Sequence, residues 1–192
     1  MKNTILILCA LFFISCKAQT VVNITTYNQG ENNNKYFKDI DNNYQNFVGI
    51  WENTSNNITF RLILWKETHM PLLNEYNSYV DEIYGKYLII QDAGTPNEQI
   101  LYNSVKYFPQ SGQTSTTVMY AMAYNNISFG STFIDFNANN GTGVLYGSFG
   151  FEIINLGSTP LQAHWQLESD LTKIENYDTF VVPTDCILTK VD

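Results

Sequence analysis

Arginine is almost missing from this chain: Arg61 stands alone among 192 residues, and lysine does not make up the deficit. Ten basic residues against 18 acidic ones leave a formal net charge of −8. That balance excludes nucleic acid and an anionic membrane face as the main partner, because phosphate binding needs clustered Lys and Arg. Histidine occurs only at His69 and His164, and cysteine only at Cys9, Cys16 and Cys186. Scattered in this way, they form no zinc ligand cluster. No glycine-rich loop leads from a strand into a helix, so nucleotide binding has no support. Helix signals are scarce, with two turns over residues 171–177 behind Asp170 as the one candidate. There is no internal repeat, and a surplus of asparagine is the one compositional bias. The longest apolar run, residues 5–14, is about half the roughly 20 residues that a membrane-crossing helix needs.

What is present begins with that short run. Lys2 followed by residues 5–14 has the form of an export signal, and Phe13-Ile14-Ser15-Cys16 resembles the lipobox of bacterial lipoproteins. The resemblance implies cleavage before Cys16, acylation of that cysteine, and attachment to a membrane through the acyl chains. Lys17-Ala18-Gln19 lacks the acidic residues of surface-export signals, which points to an outer-membrane lipoprotein on the periplasmic side of the cell envelope. With Cys9 removed and Cys16 consumed, Cys186 is the remaining thiol and no intrachain disulfide can form. The β-rich surroundings of Cys186 read as a buried strand position.

Three regions follow: a signal peptide over 1–15, a lipidated cysteine and flexible polar tether over 16–46, and a β-domain over 47–192, with the short apolar patch Val21-Val22-Asn23-Ile24 in the tether as a candidate edge strand. From Phe47 on, apolar and turn residues alternate as in a meander, giving strands near 47–53, 57–67, 80–92, 98–108, 117–124, 127–137, 143–154 and 161–168, with a closing strand near 184–190. The pairs 117–124 and 127–137 could be one bent strand. Leu161, Ala163, Trp165 and Leu167 face inward in strict period two, with Gln162, His164, Gln166 and Glu168 outward. In the second strand Phe60, Leu62 and Leu64 alternate with Ile63 and Trp65, so both faces are apolar and the outer one has something to contact. Asn140-Gly141 suits a type I′ hairpin. The connection 68–79 is either a lid-like loop or a short helix.

Gly49-Ile50-Trp51 resembles the Gly-x-Trp that opens the first barrel strand of lipocalins, where the Trp closes the barrel floor under an Arg from the end of the chain. Lys190 stands where that Arg would be. Tyr36 to Asp39, Phe47 to Trp51, Asp81 to Tyr87, His164 to Leu167 and Val182 to Lys190 look like the ordered landmarks of an uncharacterised lipoprotein family from Bacteroidota, without known activity. These resemblances imply an all-β, antiparallel, lipocalin-like meander barrel of about eight strands. Gly49, Trp51 and Trp165 become its floor and core.

Chemistry is sparse. Asp39, Asp41 and Asn43, and again Asp135, Asn137 and Asn139, have the spacing of a calcium-loop start, but each lacks the closing Glu and reads as turn chemistry. No base sits beside a nucleophile, so neither an enzyme nor a cofactor is expected. Aromatic residues are the informative population. Trp65, Tyr84, Tyr87 and Tyr102 are the candidate contacts for a ligand or protein partner, since Tyr and Trp suit sites with one apolar and one wet side. The expected function is a non-enzymatic envelope binding module for a small apolar or amphipathic ligand, or for a protein. The alternatives are a structural lipoprotein with a filled core and, third, a hydrolase.

Overall fold

The computed structural model describes residues 19–27, 30–73, 75–108, 113–115, 117–169 and 179–192. Cys16 with its lipobox, and the candidate helix at 171–177, lie outside the described residues. The strands are β1 (Thr20–Asn23), β2 (Lys35–Lys38), β3 (Gly49–Ser55), β4 (Ile58–Pro71), β5 (Tyr79–Gln91), β6 (Gln99–Asn103), β7 (Lys106–Phe108), β8 (Gln113–Ser115), β9 (Met119–Ala121), β10 (Ser128–Asn137), β11 (Gly143–Ile153), β12 (Gln162–Ser169) and β13 (Asp185–Lys190).

Eight of these, β3, β4, β5 and β9 to β13, form a closed antiparallel barrel in chain order. Closure comes from two ladders: Thr189 and Lys190 of β13 pair with Glu52 and Trp51 of β3, and residues 83–85 of β5 pair with β9. The expected strand at 98–108 is divided at Ser104. Its first half, β6, pairs with the far end of β5 beside β9, and its second half forms a separate hairpin of β7 and β8. Ser104 explains the division, because its hydroxyl accepts from Tyr87 N at 2.9 Å while its own N–H donates to Tyr87 O at 3.1 Å. β9 and β10 are two strands, separated by residues 122–127.

The segment read as a flexible tether is folded from Gln19 on. β1 lies parallel to β2, and β2 parallel to the start of β5 through Tyr36↔Tyr79 and Phe37↔Val80. Three of its apolar side chains, Ile24, Phe37 and Tyr44, are buried in the main core, and Val22 and Tyr27 pack against it, while Val21 and Ile40 stay exposed. Asparagines supply turns where a tether was expected. Asn34 and Asn42 adopt left-handed φ values of 58° and 55°, a region Asn tolerates better than most residues. The Asn23 side chain accepts from Thr25 N at 3.2 Å.

The connection at 68–79 is shortened at both ends by strand, since β4 runs on to Pro71 and β5 begins at Tyr79. β4 and β5 pair as far as Pro71↔Tyr79, across an irregularity between Glu67 and Met70 where His69 has φ 58°. The hairpin near Asn140 sits one residue earlier than expected, with positive φ at Asn139 and Asn140 as well as Gly141.

Inward-facing side chains fill the barrel. Trp51 packs edge-on against Phe151 at 5.0 Å, and Trp165 stacks on Phe149 at 5.4 Å and meets Phe133 at 5.5 Å and Phe60 at 5.7 Å. Both indoles donate to backbone, Trp51 Nε1 to Phe47 O at 2.7 Å and Trp165 Nε1 to Pro183 O at 2.8 Å. Buried aromatic rings with satisfied N–H groups give large burial without a stranded donor. Trp51→Ala is expected to cost about 3–5 kcal/mol, read as a lowered midpoint in urea unfolding.

Candidate functional site

The floor of the barrel is assembled from both ends of the domain. The short 3-10 turn Asn43–Asn46 brings Tyr44 and then Phe47 under the opening, where Phe47 lies 4.9 Å from Phe129. Gly49 follows at φ 132°, and a Cβ there would meet Asp192 Oδ1 at 2.5 Å and Lys190 Cε at 2.8 Å. The positive φ favours glycine here, while the Asp192 and Lys190 side chains could swing away from an added Cβ. Lys190 Nζ sits over the Trp51 ring at 5.6 Å and donates to Gln45 O and Asn46 O, each at 3.3 Å. A cation thus lies over the indole face.

A buried ionic group lies beside the floor. Lys66 Nζ is 3.1 Å from Asp39 Oδ2 and 3.2 Å from Asp81 Oδ2. Asp39 accepts from Asn43 N at 2.7 Å and Tyr44 N at 3.2 Å, and Asp81 accepts from Tyr36 Oη at 2.5 Å and Asp39 N at 3.0 Å. The Asp39 carboxylate is thus engaged by donors, as turn chemistry demands. Burial alone would raise the Asp81 pKa, but the Tyr36 hydroxyl, the Asp39 N–H and the Lys66 ammonium together hold it below the ordinary carboxylate value.

The four aromatic contact candidates separate by strand parity. Tyr87 is a core residue and not a contact: it points inward with Ile83 and Ile89, is fully buried, and its hydroxyl donates to buried Asp135. Val181 N and Asn137 N donate to the same carboxylate, at 2.8 and 2.9 Å. Tyr102 is half-buried against the core on β6. Trp65 and Tyr84 do lie on the outer wall, 6.1 Å apart, and Tyr120 continues the row at 6.3 Å from Tyr84. Beside them Glu67 faces Glu82 across the β4–β5 ladder. Burial, then the neighbouring Glu82, pushes the Tyr84 hydroxyl up to about 12.

A different part of the outer wall holds a cleft of about 360 Å³. Two cross-strand rows build it. Gly130, Gly150 and Gln166 lie side by side on β10, β11 and β12, and Ser128, Glu152 and His164 form the next row. The rim comes from Met122, Tyr124 and Asn125, with Tyr124 stacked parallel to Tyr27 at 6.3 Å. His164 Nε2 is 2.9 Å from Asp185 Oδ1, which fixes the imidazole against the wall.

Gly150 is informative here. A Cβ at Gly130 would strike Phe149 O at 2.5 Å, and one at Gly147 would strike Glu168 O at 2.4 Å, whereas a Cβ at Gly150 meets nothing within 4 Å. Packing does not demand glycine at 150, yet glycine weakens a strand, and such positions often mark a close approach by something else. The cleft thus offers a bare backbone floor, an aromatic and thioether side, and a carboxylate, an imidazole and an amide on the other. That combination suits an amphipathic molecule, and its volume falls in the usual ligand range of about 300–1,000 Å³.

Sequence reasoning missed this site because it depends on the register that places Gly130 opposite Gly150. The outward parity of His164 and Gln166 was the one legible part. A second outer cleft of about 270 Å³ lies between the Glu52–Arg61 ion pair and the 92–95 turn. Its one cation is already paired. Among the described residues, no group of three or more His, Cys, Asp or Glu side chains could hold a metal ion.

A closed eight-stranded meander with a Trp floor, a cation over that Trp and a filled interior defines a lipocalin-like barrel whose accessible features lie on its outside. The chain belongs to DUF6705, a family of unknown function, whose model matches residues 1–191. No curated protein and no solved structure matches the chain.

The Asp81 carboxylate carries a pH dependence. Its folded pKa lies below the unfolded value, so its contribution is present above about pH 4 and is lost as pH falls through the lower folded value. Urea unfolding followed from pH 7 downward should show that loss. Asp81→Asn should lower stability at pH 7 and flatten the acid-side decline.

Proposed function

We propose that the protein is a non-enzymatic, lipid-anchored envelope protein, acylated at Cys16 and facing the periplasm, that binds a small amphipathic ligand in the outer cleft floored by Gly150. The observation that carries this reading is the packed interior: Trp51, Tyr87, Phe133 and Trp165 are fully buried in one continuous core. These side chains occupy the space that a hollow barrel would offer to a ligand. Recognition then falls to the wall, where the glycine floor and the Glu152, His164 and Gln166 side combine an apolar face with polar contacts.

Mass spectrometry of small molecules that co-purify with the unacylated domain tests the cleft. Gly150→Leu should fill it and abolish co-purification, with stability unchanged or raised by about 0.5–1 kcal/mol from the removed glycine. Retention of the same molecule by the Gly150→Leu protein would sink the cleft reading. If neither protein retains anything, the second reading gains, a structural envelope lipoprotein, which the filled core also favours.

Anchoring is tested apart from binding. Cys16→Ala should move the protein from the membrane fraction to the soluble fraction, because the acyl chains are the proposed attachment. A variant that stays in the membrane fraction would disprove it.

A further inference from the structure

The β4–β5 hairpin overshoots the barrel. β3 ends its pairing with β4 at Gly49↔Leu64, whereas β4 and β5 stay paired to Pro71↔Tyr79. On the other side β5 is paired with β9 as far as Ile83, opposite Lys66, so about five residues of β4, 67–71, or roughly 16 Å at ~3.3 Å per residue, project past the barrel wall at this end. β1 starts at the same end, since it runs parallel to β2, which runs parallel to β5.

Gln19 is fastened to the tip of this hairpin. Its amide donates to Asn77 O at 3.0 Å and Lys35 O at 3.3 Å, and its oxygen is 3.1 Å from His69 Nε2. The tip itself is knotted to the 30–34 turn: Asn34 N donates to Tyr76 O at 2.9 Å, Tyr76 N to Asn33 Oδ1 at 2.8 Å, and Ser78 Oγ to Asn32 O at 2.8 Å. On this ordered support stand Leu73 and Tyr76, at 79% and 76% the most exposed large apolar side chains among the described residues.

Two residues separate Cys16 from Gln19, which makes three Cα-to-Cα steps. At no more than about 3.6 Å each, they allow at most roughly 11 Å between the acylated cysteine and the hairpin tip. A tether of thirty residues would let the domain wander from the bilayer, and one of two does not. We infer that the tip of the β4–β5 hairpin is a membrane-contacting face, with Leu73 and Tyr76 entering the interfacial layer of the lipid surface that holds the Cys16 acyl chains. This rests on the acylation of Cys16 proposed above. Leucine supplies apolar area, and an amphipathic tyrosine ring suits the headgroup level. Glu31 and Glu75 lie at the same tip, with Asn32 Nδ2 3.3 Å from Glu75 Oε1, so the contact is apolar and not an attraction to anionic lipid. The barrel floor then faces the bilayer, and the β5–β6 turn faces away.

The test uses the full chain, acylation checked by mass spectrometry, reconstituted in phosphatidylcholine vesicles with acyl chains brominated near the interface. Leu73→Trp and, separately, Tyr76→Trp introduce reporters at the tip, and Asn97→Trp introduces one on the β5–β6 turn. After subtraction of the native tryptophan signal, the 73 and 76 reporters should lose most of their emission relative to non-brominated vesicles, while the 97 reporter keeps its own. Acylated protein whose 73 and 76 reporters are unquenched, or whose 97 reporter is quenched equally, overturns the orientation and leaves the anchor standing. An unmodified Cys16 removes the anchor, and the inference with it.

Discussion

Everything in this fold depends on the return of β13 to β3. A twisted antiparallel sheet has two unpaired edges that invite association with other chains, and only closure removes them. Here the return uses a short ladder, Thr189↔Glu52 and Lys190↔Trp51, reinforced by Val191 N donating to Ile50 O at 2.9 Å and Ile50 N to Asp192 Oδ1 at 2.6 Å. The same few residues bring Lys190 over the Trp51 ring and Asp192 against Gly49. Closure and floor are thus one arrangement seen from two sides.

The second constraint is ionic. Asp39 comes from the N-terminal segment, and Asp81 and Lys66 come from the β5 and β4 walls, so the Lys66 ammonium joins two regions far apart in sequence. Removing one member of such a buried group strands a charge and costs more than the group contributes when intact. The group therefore serves position more than net stability: it holds Tyr44 beneath the barrel, where the Tyr44 hydroxyl donates to Asp81 O at 2.8 Å. The N-terminal segment is part of the domain because of this link and because Ile24 and Phe37 are buried with the core.

How much of this was legible follows from the range of each interaction. The walls were readable because alternation is local: Ala163, Trp165 and Leu167 are buried, while Gln166 and Glu168 are exposed. Parity also had the means to place Tyr87 inside, since it shares its phase with Ile83 and Ile89, whereas Tyr84 shares its phase with Lys86. In the segment before Phe47 the apolar patch Val21 to Ile24 was legible as an edge strand and forms β1, but the rest was not, because a few apolar residues dispersed among asparagines resemble a linker until their distant partners are known. The cleft was hidden for a similar reason. A glycine pair across two strands is a property of register, and composition counts its members separately.

The position of the 360 Å³ cleft on the wall carries a kinetic consequence. A ligand held inside a barrel must pass the mouth, and its exchange waits on loops that cover it. A site open on the flank has no such gate, so its occupant arrives by simple encounter and leaves at a rate set by the contacts alone. On the proposed reading the barrel is a stand for the cleft, and a ligand would come and go without any opening of the interior.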